Sequence, residues 1–208
     1  MKRIITLLAA MAMALAAFAQ TPEEIVSKME EAFKAHEAEG LIMTMDIKIP
    51  IIGTISSDSR MLGDKIKVVG NMAGQSIITW TDGKTSWSYD SQKNEIEIKD
   101  EDLSKKSDSD NKEMFMGVTD GYDVSIKKET DTEWQLQCKK SKTNTDKDDP
   151  KNMELVVAKG TFYPVSLKAK LKGVTLTMRN IGFGVKEKEV TFNAADYPGV
   201  QIVDKRNQ

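Results

Sequence analysis

The sequence predicts a mainly β protein, about eleven or twelve antiparallel strands in a sheet that curls around an N-terminal helix and approaches a barrel. Three observations lead there. A single stretch near the start carries apolar residues at helical spacing. Almost everything after Gly40 alternates apolar and polar with a period of two, punctuated by turn residues. And one helix of about eighteen residues, roughly 27 Å long, is too small to cover the apolar face of about a dozen strands spaced near 4.8 Å, so the sheet has to curl around it.

Before the helix, Lys2 and Arg3 precede an apolar run and the small-x-small triplet Ala17-Phe18-Ala19, the pattern of a secretory signal peptide cut after Ala19. The run is about fifteen residues, short of the roughly twenty that span a bilayer. No cysteine stands at the cut, which leaves Gln20 unlipidated. The expectation is a leader over residues 1–19 and one soluble exported domain over residues 20–208. Losing Lys2 and Arg3 takes the formal charge from -2 to -4, with both signs interspersed along the chain, a balance that argues against nucleic-acid binding. The single cysteine, Cys138, excludes an intramolecular disulfide and reads as a small buried hydrophobe.

The helix opens on Thr21-Pro22-Glu23-Glu24, an N-cap, a proline at the first turn and a capping-box glutamate. It carries Ile25, Met29, Ala32 and Phe33 on one face and stops at Gly40. In the first strand Leu41, Met43, Met45, Ile47 and Ile49 point one way and Thr44, Asp46 and Lys48 the other. Extended stretches follow at residues 51–62, 65–72, 75–81, 84–90 and 94–99, with Asp82-Gly83 the strongest hairpin signal. Residues 100–113 are almost wholly charged and polar and read as a mobile loop. After them comes Met114-Phe115-Met116-Gly117, an apolar cluster suited to a helical turn. Strands resume at 122–129, 133–141, 152–159, 162–172, 174–182, 189–193 and 200–203.

A curled sheet with one helical plug leaves a space lined by its inward side chains. Nine of the 12 methionines lie beyond the leader, and unbranched, polarizable methionine suits either an adaptable ligand wall or an irregular core. Trp80, Trp87 and Tyr89 flank the Asp-Gly hairpin, as cavity wall or as ordinary core aromatics. Catalytic signatures are missing: His36 suits the C-terminal end of a helix, and no zinc spacing, phosphate loop, dinucleotide fingerprint or nucleophile elbow occurs. The expectation is a binding protein, with no catalytic residue, metal or cofactor.

Residues 75–90, QSIITWTDGKTSWSYD, resemble the strand, Asp-Gly-Lys turn and Trp-x-Tyr strand of the LolA family, periplasmic carriers of outer-membrane lipoproteins. The N-terminal helix leading into a long strand, the Met114-Phe115-Met116 cluster after a loop, and the closing run VTFNAADYPGVQIVD agree in order, so the likeness spans most of the chain beyond the leader. The resemblance implies an incomplete barrel lidded by helices and a soluble, monomeric periplasmic carrier. Its apolar cavity would shelter lipoprotein acyl chains between an inner-membrane release complex and an outer-membrane acceptor. The alternative is a periplasmic binding or sensor module of the same fold that holds another lipid or amphiphile without delivering lipoproteins. The residues assigned to the cavity wall are Met43, Met45, Ile47, Met72, Trp80, Trp87, Tyr89, Met114, Phe115 and Met116. Arg60, followed by Met61 where the family has proline, is the match to an arginine that holds the lid closed, or else a solvated strand charge.

Overall fold

A computed structural model describes residues 20–72, 74–101 and 115–206, with the Met72 side chain excepted. The leader, residues 102–113 of the charged loop and Met114 lie outside the described residues.

Helix α1 (Pro22–His36) starts as its sequence requires. Thr21 Oγ1 accepts the Glu24 N–H at 3.2 Å, and the Glu24 carboxylate accepts the Thr21 N–H at 3.2 Å. A 3₁₀ turn (Glu37–Glu39) carries the chain to Gly40 at φ +80°, where a Cβ would sit 2.6 Å from the Met61 carbonyl oxygen and 2.8 Å from Val185 Cβ. Only glycine lets the helix pass this close to the sheet.

Twelve strands follow among the described residues: β1 (Leu41–Ile49), β2 (Gly53–Leu62), β3 (Lys65–Met72), β4 (Gln75–Thr81), β5 (Thr85–Asp90), β6 (Glu95–Asp100), β7 (Tyr122–Glu129), β8 (Glu133–Lys140), β9 (Asn152–Ala158), β10 (Pro164–Leu171), β11 (Val174–Phe183) and β12 (Gln201–Asp204). They form one open sheet in the order β12-β6-β5-β4-β3-β2-β1-β11-β10-β9-β8-β7. The expected mainly β, incomplete-barrel architecture is present. Two elements differ from expectation. Residues 189–193 are not a strand: helix α2 (Glu187–Val190) occupies their start, with the Glu189 carboxylate accepting the Lys186 N–H at 2.8 Å. The sheet is also not wholly antiparallel, because β12 runs parallel to β6. The chain reaches that edge from a second 3₁₀ turn (Ala194–Asp196) after a long excursion, not through a hairpin, so the tight-turn constraint on direction is lifted.

Register defines the two faces. Leu41 pairs with Met61, Met61 with Ile66 and Ile66 with Thr81, so these side chains share the inner face, the one against α1. On the other side Leu41 pairs with Phe183, Met178 with Leu167, Leu167 with Leu155 and Leu155 with Leu136. The inner core is therefore Ile25, Val26, Met29 and Phe33 of α1 pressed on Leu41, Met43, Met61, Leu136, Cys138, Met153, Leu155, Val157, Leu167 and Ala169. Burial pushes the Cys138 thiol up to about 11, as befits a packing residue.

A β-bulge between β1 and β11 decides which β11 residues join that core. Ile42 pairs with Gly182 but Thr44 with Arg179, and the extra residue on β11 sits at Asn180, φ +54°. Arg179 and Asn180 consequently both point outward. There the Arg179 guanidinium donates to Asp46 at 2.6 and 3.2 Å, Ser56 donates to Asp46 at 2.6 Å, and the Asn180 amide donates to Thr44 Oγ1 at 3.2 Å. Hydrogen bonding to Arg179 holds the Asp46 carboxyl below the usual carboxylate range.

Candidate functional site

The inner face under α1 is the candidate binding site. Strands β1, β2 and β11 supply its floor, α1 its roof, and the turn beginning at Phe115 closes one side. Phe33 is the central contact, with Phe115 at 5.2 Å and Phe183 at 5.6 Å between ring centroids. The Gly117 N–H donates to the Glu30 carboxylate at 2.9 Å, tying that turn to α1. At the C-terminal end of α1 the packing leaves a groove of about 430 Å³, lined by Phe33, Leu41, Met61 and Phe183 with Lys34 and Glu37 at its mouth. The volume falls within the range of small-molecule pockets.

Along β1 the stripe loosens with distance from this groove. Met43 is buried, whereas Met45, Ile47 and Ile49 are half-buried. Met178 and Met45 pair across β1 and β11 and pack on the rim of the core. No ion pair joins α1 to a strand among the described residues; beyond apolar packing, the helix is tied by the bond to Gly117, ring contacts of His36 with Tyr163 and Phe183, and Lys28 over the Phe162 ring.

Of the residues assigned to one cavity wall, Met43, Met45, Ile47 and Phe115 do gather on or against the inner face, and half-buried Met116 follows Phe115. The Met72 side chain and Met114 are outside the described residues. Trp80, Trp87 and Tyr89 are elsewhere, because the register pairs Lys67 with Trp80, Trp80 with Trp87, and Tyr89 with Ile96, all on the outer face. A second small core forms there. Phe192 stacks on Trp87 at 5.4 Å and meets Trp80 edge-on at 5.4 Å, Tyr197 meets Trp80 at 5.6 Å and Tyr89 at 5.1 Å, and Ile96 is fully buried. The cover over these aromatics is the C-terminal segment, not α1.

Arg60 is likewise on the outer face. It pairs with Ile42 and Lys67, and its Nε lies 3.6 Å from Glu189 of α2, too long for a hydrogen bond, leaving the buried Nε–H without a hydrogen-bond partner among the described residues. It clasps the C-terminal segment and cannot reach α1 through the sheet. The groove residues left out of the expected cavity wall are Leu41, Met61 and Phe183. Leu41 and Met61 had the signal of parity, but Phe183 did not: it stands five residues from Met178, and strict alternation would place the two on opposite faces without the bulge at Asn180.

Among the described residues, no helix is long and apolar enough to cross a membrane, and no group of three or more His, Cys, Asp or Glu side chains is placed to hold a metal ion.

No protein-family model matches the sequence, and no curated protein matches it. Solved structures do match. The lipoprotein LppX of Mycobacterium tuberculosis superposes with a TM-score of 0.53 at 9% identity, covering 78% of this chain and 96% of that one. LprF of Mycobacterium bovis superposes with a TM-score of 0.53 at 10% identity, covering 80% and 96%. A LolA superfamily protein of Nitrosomonas europaea aligns over 84% of this chain and 99% of its own at 12% identity, with a TM-score of 0.34. At such identities the likeness is one of architecture: the open sheet laid over one main helix is the fold seen in LppX and LprF.

Proposed function

We propose that this protein is a soluble periplasmic carrier that shelters the acyl chains of lipoproteins on its inner face and passes them towards the outer membrane. The observation that carries this reading is the pairing of a methionine-rich floor with a roof that, among the described residues, no ion pair fastens to a strand. Met43, Met45, Met61 and Met178 on the floor, with Met29 facing them from α1, offer flexible, polarizable surface of the kind that accommodates chains of different shape. An acyl chain entering at the groove beside Phe33 and Leu41 would replace α1 contacts with contacts of the same chemistry. Sheltering is worthwhile because each exposed methylene costs roughly 0.8 kcal/mol in water, so an acylated protein does not cross an aqueous compartment unaided.

The chain in this reading is monomeric, binds without catalysing, and takes its cargo from an inner-membrane release complex to an outer-membrane acceptor. Arg60 is proposed to pin the C-terminal segment through Glu189 while α1 moves. Native mass spectrometry of the protein purified from the envelope tests the whole reading. Co-purified acylated lipoprotein is the expected result. A free lipid alone would move the assignment to a binding or sensor module of this fold, and a consistently empty protein would overturn the assignment.

A further inference from the structure

The hairpin joining β1 to β2 is built against ordinary turn chemistry. Its last ladder pair is Ile49 with Gly53, and the three residues beyond are Pro50, Ile51 and Ile52. Turns at such tips favour Gly, Asn or Asp, which tolerate positive φ and prefer water. Here Ile51 stands at φ +73°, in a region β-branched residues almost never enter, and its side chain is 108% exposed; Ile52 is 69% exposed. Neither residue contributes to either core, so folding gains nothing from the strain or from the exposure. Strain retained without a folding reason points to a task performed by the exposed side chains.

Three cations lie on one flank of this tip. Lys48 is separated from it by Ile49 and lies in one outer-face row with Thr175 and Lys170 through the β1–β11 and β10–β11 pairings, and Lys172 forms the adjoining β10–β11 tip. Two nearby acids are already engaged: Asp148 pairs with Lys172 at 2.6 Å, and Asp149 accepts from the Asn144 amide at 2.7 Å. The Lys172–Asp148 pair is highly exposed on both sides and is therefore weak and screened.

We propose that the β1–β2 tip is a membrane-docking finger, in which Ile51 and Ile52 enter the headgroup and upper acyl region of an anionic bilayer while Lys48, Lys170 and Lys172 rest on its surface. Two adjacent isoleucines are too small a patch for a stable protein interface, which takes roughly 800 Å² from each partner, but they are enough to insert locally into lipid. The proposal stands on the tip alone and holds whichever ligand the inner face accepts.

Vesicle co-sedimentation tests it, using phosphatidylethanolamine vesicles with and without phosphatidylglycerol. The wild type is expected to sediment with the anionic vesicles. The pair Ile51→Gly and Ile52→Ser should lower partitioning at least about tenfold, on the scale of burying isoleucine side chains. Ile51→Gly should leave the melting temperature unchanged or higher, because glycine relieves the positive φ, so lost binding will not reflect lost folding. Replacing Lys48, Lys170 and Lys172 by Gln should remove the preference for anionic vesicles. In a separate variant, Ile52→Trp, the added indole fluorescence should be quenched by lipids brominated near the headgroup. A wild type that stays in the supernatant, or finger variants that sediment as well as it does, would overturn the proposal, as would an Ile52→Trp variant whose added fluorescence brominated lipid leaves unquenched.

Discussion

The two covers of the sheet differ in chemistry. On the inner face α1 rests mainly on aliphatic and methionine side chains, with a ring cluster of Phe33, Phe115, Phe183, Tyr163 and His36 and a stacked Trp134–Phe162 pair beside them. On the outer face residues 185–205 are held by oriented contacts. These include rings stacked and edge-on around Trp80, the Arg60–Glu189 ion pair, Lys65 bonded to Glu187, Lys205 bonded to Glu97, and backbone pairing of β12 with β6. Apolar contact is non-directional and is nearly as well satisfied by another apolar body, whereas stacked rings and charge pairs are satisfied by one geometry. The covers thus differ in degree: the inner one is held mostly by aliphatic contact, while ion pairs and a strand pairing add to the rings that hold the outer one.

Phe33→Ala should break this distinction most forcefully. Its ring is almost fully buried, so its removal is expected to cost about 4 kcal/mol in denaturant unfolding while increasing uptake of a fluorescent fatty acid, since the vacated space lies beside the groove. Trp80→Ala should cost about 3 kcal/mol through the other core but leave fatty-acid uptake unchanged. Greater uptake by the Trp80 variant would show that the outer cover, not α1, is the more exchangeable one. Arg60→Met should change stability by less than about 1 kcal/mol, because the ion pair to Glu189 is long and partly exposed and the unpartnered Nε–H is a cost that methionine removes.

The smallest expected effect is acid loosening of the C-terminal segment. Hydrogen bonding to Lys205, and then to Lys99, lowers the Glu97 carboxyl from 4.5 to about 2. A carboxylate depressed by folding adds stability above its unfolded value and loses that contribution as the pH falls through the folded value. Amide exchange in β12 should therefore speed up between pH 4.5 and about 2, after correction for the intrinsic pH dependence of exchange, and added salt should shrink the change, while protection in β8 and β9 holds.

Much of the architecture was legible in the residues themselves. The capping box fixed the start of α1, and alternation from Leu41 to Ile49 marked an inner-face stripe that the structure keeps. The site was harder to read, for two physical reasons. Alternation says that Trp80, Trp87 and Tyr89 do not share a face with Thr79 or Ser88, but it carries no information on which face of the next strand adjoins them; only register does. A bulge is also invisible to a period of two, so the single extra residue at Asn180 hid the kinship of Phe183 with Met178. Residues 189–193 looked like a strand because Val190 and Phe192 alternate. Here each packs on the outer core from a short helix and the bend after it, not from the pleat of a strand.

The outer cover also sets an order of assembly. Glu97 and Lys205 are 108 residues apart in sequence, and Asn94 and Gly199 are 105 apart, so the aromatic slab and the β6 edge are synthesised long before the segment that covers them. Until that segment arrives, the nascent chain carries an exposed row of Trp80, Trp87 and Tyr89 beside an unpaired strand, a combination that invites aggregation. A stop codon placed before residue 185 would therefore leave this aromatic row uncovered and the chain prone to aggregate, although every strand of the inner core is already present.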